Sequence, residues 1–364
     1  SGNWRQWIYT AITFLVMSCP CAIVLSVPLA FFSGIGAGSK KGILFKGGLS
    51  METLSKLGAV VMDKTGTITE GNFKLQQIVS TVSLSEDELL ALCAGCEQHS
   101  THPIAVSIVA AAKEKGLDII DPANLSEIAG FGIVAETTYG TVLCGNHKLM
   151  DKYQIAMPDL STASYGSEVF LTINDTFAGY MVIADTIKSD AVSAICQLKR
   201  LGLHSVMLTG DSQSGADAVA SATGIDEVHA ELLPGDKVEQ VEALLKAQSQ
   251  KERLAFVGDG INDAPVLTRA DIGIAMGSMG SDAAIEAADI VLMDDDVTKI
   301  ASVVKIAGKT LRIVKQNIVF ALAVKALVLL LGALGMANMW EAVFADVGVS
   351  VIAILNSMRT LNEK

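Results

Sequence analysis

The sequence is short of basic residues and of cysteine, and each shortage removes a class of protein. Lys and Arg number 27 against 39 Asp and Glu, a formal net charge of −12. A nucleic-acid binder needs a basic face for phosphate, so nucleic acid is excluded as a partner. Six cysteines are too few to staple 364 residues, which makes them reduced thiols in or facing a cytosol. Charged residues make up only 18%, while hydrophobic residues reach 51% and the mean hydropathy is +0.45. That is too apolar for a wholly water-soluble enzyme, and too apolar for a disordered chain.

The apolar excess sits at the two ends. No charged residue occurs between Arg5 and Lys40, and the run over 7–35 is longer than the about 20 residues that cross a bilayer core. Its length and its internal Pro20 and Pro28 set it apart from a signal peptide. Two more apolar runs, 318–335 and 339–358, are separated by a few residues around Asn338 and read as an antiparallel transmembrane hairpin. Lys40, Lys41 and Lys46 follow the first run, Lys305, Lys309, Arg312 and Lys315 precede the second, and Arg359 and Lys364 follow the third. By the positive-inside rule the region between the first and second spans is cytosolic. Three spans and a membrane-lipid environment are therefore expected.

Over 58–300 short β-rich runs alternate with helical stretches, the pattern of a parallel α/β sheet. The runs AVVMD, HSVMLTGD and RLAFVGD end in Asp63, Asp211 and Asp259. Carboxyl ends of parallel strands share one edge, so these three are expected to converge there. The stretch 72–180 has helices and strands of its own and reads as an inserted domain. The expected organisation is a membrane span with its cytosolic connection (1–57), a sheet domain in two parts (58–71 and 181–304) around the insert, and a membrane hairpin (305–364).

The chemistry concentrates in DKTGTIT at 63–69, TGD at 209–211 and GDGINDAP at 258–265. A strand-end Asp followed by a loop of Lys, Gly and three Thr offers a carboxylate nucleophile among donors for phosphate oxygens. Phosphoryl transfer also needs Mg²⁺ held by carboxylates and a cation on the phosphoryl group; Asp63 and Asp259 suit the first need, Lys237 the second. In the first apolar run, Cys19 and Cys21 flank Pro20. Proline opens the helix there and lets both thiolates face one site, and thiolates select soft or borderline ions. Lys325 and Asp346 are the strongly ionic residues deep in the other two runs. About 16 Å from the hairpin turn, they fall at matching depth near the midplane, which makes them functional candidates.

With these motifs the chain resembles the P-type ATPases, and within them the zinc/cadmium/lead-exporting branch of the heavy-metal group. The resemblance implies a multidomain membrane protein: transmembrane helices, a haloacid-dehalogenase-like α/β phosphorylation domain and an inserted α/β nucleotide-binding domain. It implies that Asp63 becomes the aspartyl phosphate, with Asp259 and the Thr65 carbonyl on Mg²⁺. Thr209, Lys237, Asn262 and Asp263 would form the phosphate environment, with Asp185 toward the hinge. Glu97, His102 with Pro103, Gly130, Gly132 and Asn146 match the positions that read the adenine of ATP. Cys19, Cys21 and Asp346 would take Zn²⁺, Cd²⁺ or Pb²⁺, with Lys325 as counter-ion to Asp346. A multi-pass protein of a bacterial plasma membrane follows, exporting its ion.

A copper pump is the rival within the class, although the Asn/Tyr and Met/Ser patterns of copper exporters are absent from the last two spans. A membrane-anchored haloacid-dehalogenase-like phosphatase is the rival from another class. Such phosphatases commonly place a second Asp two residues after the nucleophile, where this chain has Thr65. No TGE tripeptide occurs, so an actuator domain and earlier helices are expected elsewhere, even on another chain, and this chain is read as the catalytic and core-membrane portion. Cys93 and Cys96 form one CxxC without a second pair and read as packing, as do Cys144 and Cys196.

Overall fold

The computed structural model describes the chain apart from residues 1, 2, 19, 101, 129, 159–165, 261, 262, 278–281, 335–338 and 362–364. The chain divides into two compact units. One comprises Ser1–Asp63, Val192–Val206 and Leu233–Lys364, the other Lys64–Ala191 and Met207–Leu232. The second unit thus contains the expected insert and extends beyond it at both ends.

In the first unit, Pro20 (φ −86°, ψ 33°) caps the helix Cys21–Lys40, and the helix Trp4–Ser18 lies before it. Proline has no N–H to continue a helix and is well placed at a helix start. The first apolar run, expected as one span, is therefore two helices. The second continues upstream as the helix Lys299–Ala333, because its basic residues are good helix formers and extend the apolar segment without a break. The third is a continuous helical run over 339–357, in which a π-helical turn Phe344–Gly348 joins Met339–Val343 to Val349–Ser357. Among the described residues two helices, Cys21–Lys40 and Lys299–Gly332, are long and apolar enough to cross a membrane.

Small residues let these helices approach closely. A Cβ on Gly34 would lie 2.4 Å from Thr310 Oγ1 of the other long helix, and one on Gly38 would lie 2.5 Å from the ring of Phe45 in the following strand. Asn317 stitches the bundle further, donating through Nδ2 to Ser357 Oγ at 2.8 Å and to the Ala353 carbonyl at 3.1 Å. Ser357 Oγ in turn lies 2.9 Å from the Ser26 carbonyl. Buried polar groups such as these need a partner, and here the bundle supplies it.

The sheet of this unit places its strands in the order Ile43–Phe45, Ile290–Leu292, Ile272–Met276, Arg253–Gly258 and Leu57–Asp63. The last four run parallel and the first is antiparallel. Their mostly apolar, almost wholly buried sequences suit a sheet covered on both faces. Val257 pairs with Met62, so Asp63 and Asp259 leave the sheet at the same edge.

The second unit is built on a six-stranded antiparallel sheet in the order Thr69–Ser80, Thr176–Ile187, Ser167–Ile173, Gly140–Gly145, Gly132–Thr137 and Asn124–Ile128. The helices Glu86–Glu97 and Pro103–Glu114 supply Leu89, Leu90, Cys93 and Ile108 to a core shared with Ile133, Cys144, Leu171 and Met181 from the strands. Ser85 and Glu88 form a reciprocal capping box that fixes the start of the first helix.

Candidate active site

Asp63 ends its strand buried, and Lys237, from the helix Pro234–Ala247, reaches it. Lys237 Nζ donates to Asp63 Oδ1 at 2.7 Å and to Asp263 Oδ1 at 3.2 Å. Burial works against the ammonium charge, but the attraction of Asp63 and Asp263 prevails and holds its pKa above the ordinary lysine value. Asp259 completes the cluster: one carboxylate oxygen from each of Asp63, Asp259 and Asp263 lies within 4.8 Å of the others. Three hard oxygen donors at that spacing fit Mg²⁺. The turn is tight: Asp263 Oδ2 accepts from Gly260 N at 3.3 Å, and a Cβ on Gly258 would lie 2.8 Å from that oxygen. Asn262 lies outside the described residues.

The next residues belong to the second unit. Thr65 is exposed and Thr209 is buried. Thr209 Oγ1 accepts from Asp211 N at 3.1 Å, which folds the TGD turn back on itself. Lys64 is buried and ion-paired to Asp211. Lys188 donates to the Gly66 carbonyl at 2.6 Å, and Asp185 contacts Thr69 Oγ1. The DKTGTIT loop is thus fixed by Lys64, Asp185 and Lys188, of which sequence reasoning gave a place only to Asp185. The DTIK run was the available signal for Lys188.

The expected adenine-reading residues gather in this unit around one cavity of about 340 Å³, lined by Glu97, His102, Gly130, Gly132 and Asn146. Each is placed by a local device. His102 caps the helix Pro103–Glu114, with Nδ1 accepting from Ile104 N at 3.3 Å, which leaves Nε2 as the donor. Asn146 uses both ends of its amide: Oδ1 caps the helix His147–Lys152, and Nδ2 donates to the Gly130 carbonyl at 2.9 Å. It is therefore a latch on the glycine turn. Gly132 has φ +143°, and a Cβ there would lie 2.3 Å from the Cys144 carbonyl oxygen. Glu97 is 9% exposed. Burial raises its pKa above the usual carboxylate range, the Cys144 thiol opposes that shift, and Glu127 adds to it. A second cavity of about 440 Å³ shares His102, Ile104 and Ser167 with the first and reaches Lys64, Asp185 and Asp211. Together they form a trough with a base-sized end and a charged end.

In the membrane helices, Cys21 opens its helix and Cys19 lies outside the described residues. Ala22, Ala321 and Val349 pack together, so Cys21, Lys325 and Asp346 stand close in sequence to one shared contact of three helices. Asp346 sits in the π-helical turn, a distortion frequent at functional sites, and its Oδ1 is buried with no hydrogen-bond partner among the described residues. Lys325 is half-buried. Asp346 Oδ1 accepts no hydrogen bond from Lys325, the residue expected from the sequence to serve as its counter-ion.

The sequence profile of the haloacid dehalogenase-like hydrolases matches residues 57–271, which carry all four members of the Asp63 cluster. The chain belongs to this hydrolase family. Within it, the chain is 52% identical to the cadmium, zinc and cobalt-transporting ATPase of Bacillus subtilis, over 99% of its own length and 51% of that protein. It is 39% identical to the zinc/cadmium/lead-transporting P-type ATPase of Escherichia coli, over 100% of its own length and 49% of that protein. The crystal structure of a zinc-transporting PIB-type ATPase in the E2.Pi state is similar over 99% of this chain and 59% of that one, with a TM-score of 0.87 and 38% identity. The resemblance to heavy-metal P-type ATPases read from the motifs is thus borne out by the relatives of this hydrolase. The chain spans about half the length of the curated relatives it matches.

Proposed function

We propose that this hydrolase drives export of a divalent heavy-metal ion, Zn²⁺, Cd²⁺ or Pb²⁺, across a membrane by forming a phosphate ester on Asp63 from ATP. The observation that carries the reading is Lys237, held between the buried carboxylates of Asp63 and Asp263. A phosphoryl group arriving at Asp63 brings more negative charge than the carboxylate it joins. Lys237 is positioned to take up that charge as it develops, and Asp263 keeps the ammonium in place. Asp63, Asp259 and the Thr65 carbonyl would hold Mg²⁺, which when bound neutralises phosphate oxygens and orients them. Asp63 attacks the γ-phosphorus in line, the bond to the β-phosphate oxygen breaks, and ADP leaves. Thr209, Asn262 and Asp263 would line the phosphate, while Glu97, His102, Gly130, Gly132 and Asn146 hold the adenine.

Cys19, Cys21 and Asp346 would take the transported ion as substrate. A buried carboxylate oxygen without a protein partner in the Asp346 turn supports this assignment. Two thiolates and a carboxylate suit a borderline divalent ion better than Cu⁺. Thr65 in place of a second Asp favours a phosphoenzyme that persists, against the phosphatase reading. The catalytic region would face the cytosol of a bacterial cell, with the apolar helices in the plasma membrane.

The test is radiolabelling of the membrane-embedded chain with ATP labelled at the γ-phosphate, followed by acid quench. Acid-stable label that requires Asp63 and rises with Zn²⁺ is expected. Asp346→Ala should remove the Zn²⁺ response and keep basal labelling; Zn²⁺ stimulation unchanged in that variant overturns the metal assignment, and label persisting in Asp63→Asn overturns the chemistry.

A further inference from the structure

Two cysteines, Cys93 and Cys144, lie behind the base-sized cavity, and their chemistry ends on Glu97 in its wall. Cys93 and Glu97 lie four residues apart in the helix Glu86–Glu97, so they share a helix face. Cys144 comes from the strand Gly140–Gly145, in register with Ile133 and Leu171. Its Sγ lies 3.5 Å from Glu97 Oε1 and 3.4 Å from Cys93 Sγ, with both thiols fully buried.

The donor order follows from what each group can do. A carboxylate only accepts, so the Cys144 S–H donates to Glu97; the Cys144 sulfur is then the acceptor for the Cys93 S–H. Cysteines serving only as small hydrophobes have no need to end on a carboxyl oxygen. Burial strips water from Glu97, and a carboxyl group that lines a cavity without a fixed partner would rotate to find one. The Cys144 bond ties one oxygen and leaves the other for the cavity.

We propose that Cys144, backed by Cys93, is a positioning residue for Glu97: it orients the carboxyl group so that its second oxygen reads the edge of a purine base. This rests on the reading of that cavity as the adenine site. Base discrimination, more than phosphate binding, depends on such orientation, because a misdirected carboxyl loses a directional bond while the rest of the trough is unchanged.

The test compares Cys144→Val with Cys144→Thr in the full chain, a pair with the same shape that differs only in a hydroxyl donor. The measurement is equilibrium binding of a non-hydrolysable ATP analogue and its guanine counterpart, with Glu97→Ala alongside and thermal unfolding as the folding control. Cys144→Val should bind the adenine nucleotide about fivefold more weakly, the loss of one hydrogen bond, with a reduced preference for adenine over guanine. Cys144→Thr should recover most of both. If Glu97→Ala weakens binding while the Val and Thr variants bind alike, the positioning role is overturned and the adenine site stands. If Glu97→Ala binds as the parent does, the adenine site itself fails, and the proposal with it. Should Cys144→Val unfold, Cys93→Val takes its place, with a smaller loss expected; parent-like binding and base preference in that variant overturn the proposal.

Discussion

Lys237 Nζ lies 2.7 Å from Asp63 Oδ1 and reaches Asp263 from the same position, so one ammonium is shared by two buried carboxylates. Replacing it with Met leaves those carboxylates facing each other without a cation. Labelling of Asp63 from ATP should fall by about 10²- to 10³-fold, the scale of losing one donor to developing charge. Thermal unfolding should also show a loss of about 3 kcal/mol, as for breaking a buried pair by removing one partner. Lys237→Arg keeps the charge in a different shape and should fall between. Parent-level labelling in Lys237→Met would remove Lys237 from the phosphoryl site.

Gly132 separates the nucleotide step from the phosphoryl step. Its φ of +143° and the 2.3 Å approach of the Cys144 carbonyl to any Cβ leave no room for a side chain. Gly132→Ala should cost about 1–3 kcal/mol of local stability and push the strand pair apart beside Glu97. Binding of ATP should weaken by about tenfold or more. Acetyl phosphate, which needs no base-reading cavity, should still label Asp63. Equal loss with both donors would mean that the substitution damages more than the cavity.

These two sites show which parts of the molecule the sequence made legible. Asp63 and Asp259 could be located because strand-end carboxylates follow from a simple pattern, a buried β run closed by an acid, and parallel pairing brings the ends together. The cluster of Glu97, His102, Gly130, Gly132 and Asn146 was legible only through resemblance, since no periodicity ties a helix end to a distant glycine turn. The Cys144 contact was not legible at all: it depends on antiparallel register between strands and on a helix face packed across them. The membrane runs were legible as apolar helices but not in their backbone detail. Hydropathy averages over a window, so it records neither the break at Pro20, which the proline itself marks, nor the π-helical turn around Asp346, a backbone event within uniformly apolar sequence. Matching depth placed Lys325 and Asp346 together as candidates, but depth constrains height along a helix and not the direction in which a side chain points.

Asp185 supplies a pH dependence. Burial raises its carboxyl pKa above the usual range, against the opposing pull of Thr69, Lys64 and the backbone N–H groups of Gly71 and Asn72. A carboxyl whose folded pKa exceeds its unfolded value binds its proton more tightly in the folded state. Its contribution to stability is therefore complete below the ordinary carboxylate pKa, about 3.9, and is lost as pH rises through the folded value. Asp185→Asn keeps the shape and removes the titration. Melting temperatures measured from pH 4 upward should decline less in the variant than in the parent, with the gap opening as Asp185 ionises. Parallel curves would show that Asp185 is not destabilised by its burial.

The contact of Gly34 with Thr310 makes a prediction about how the two long apolar helices stay together. A Cβ on Gly34 would meet Thr310 Oγ1 at 2.4 Å and Thr310 Cγ2 at 3.1 Å, with Met51 Sδ at 3.2 Å. Two of these three atoms belong to one side chain, so the clash has a specific remedy. Gly34→Ala alone should force the helices apart and destabilise the bundle by about 1–3 kcal/mol, the usual cost of overpacking. Thr310→Ala alone removes the bond from Thr310 Oγ1 to the Ile306 carbonyl and opens a small gap, a mild loss. The double variant places the new methyl where Oγ1 and Cγ2 had been, leaving only the flexible Met51 thioether to adjust. Unfolding in detergent should therefore show the pair to be less destabilising together than the sum of the two, a coupling of about 1 kcal/mol or more for residues in direct contact. Strict additivity would mean that the helices relax without closing on this contact, and that Gly34 is small for a reason other than Thr310.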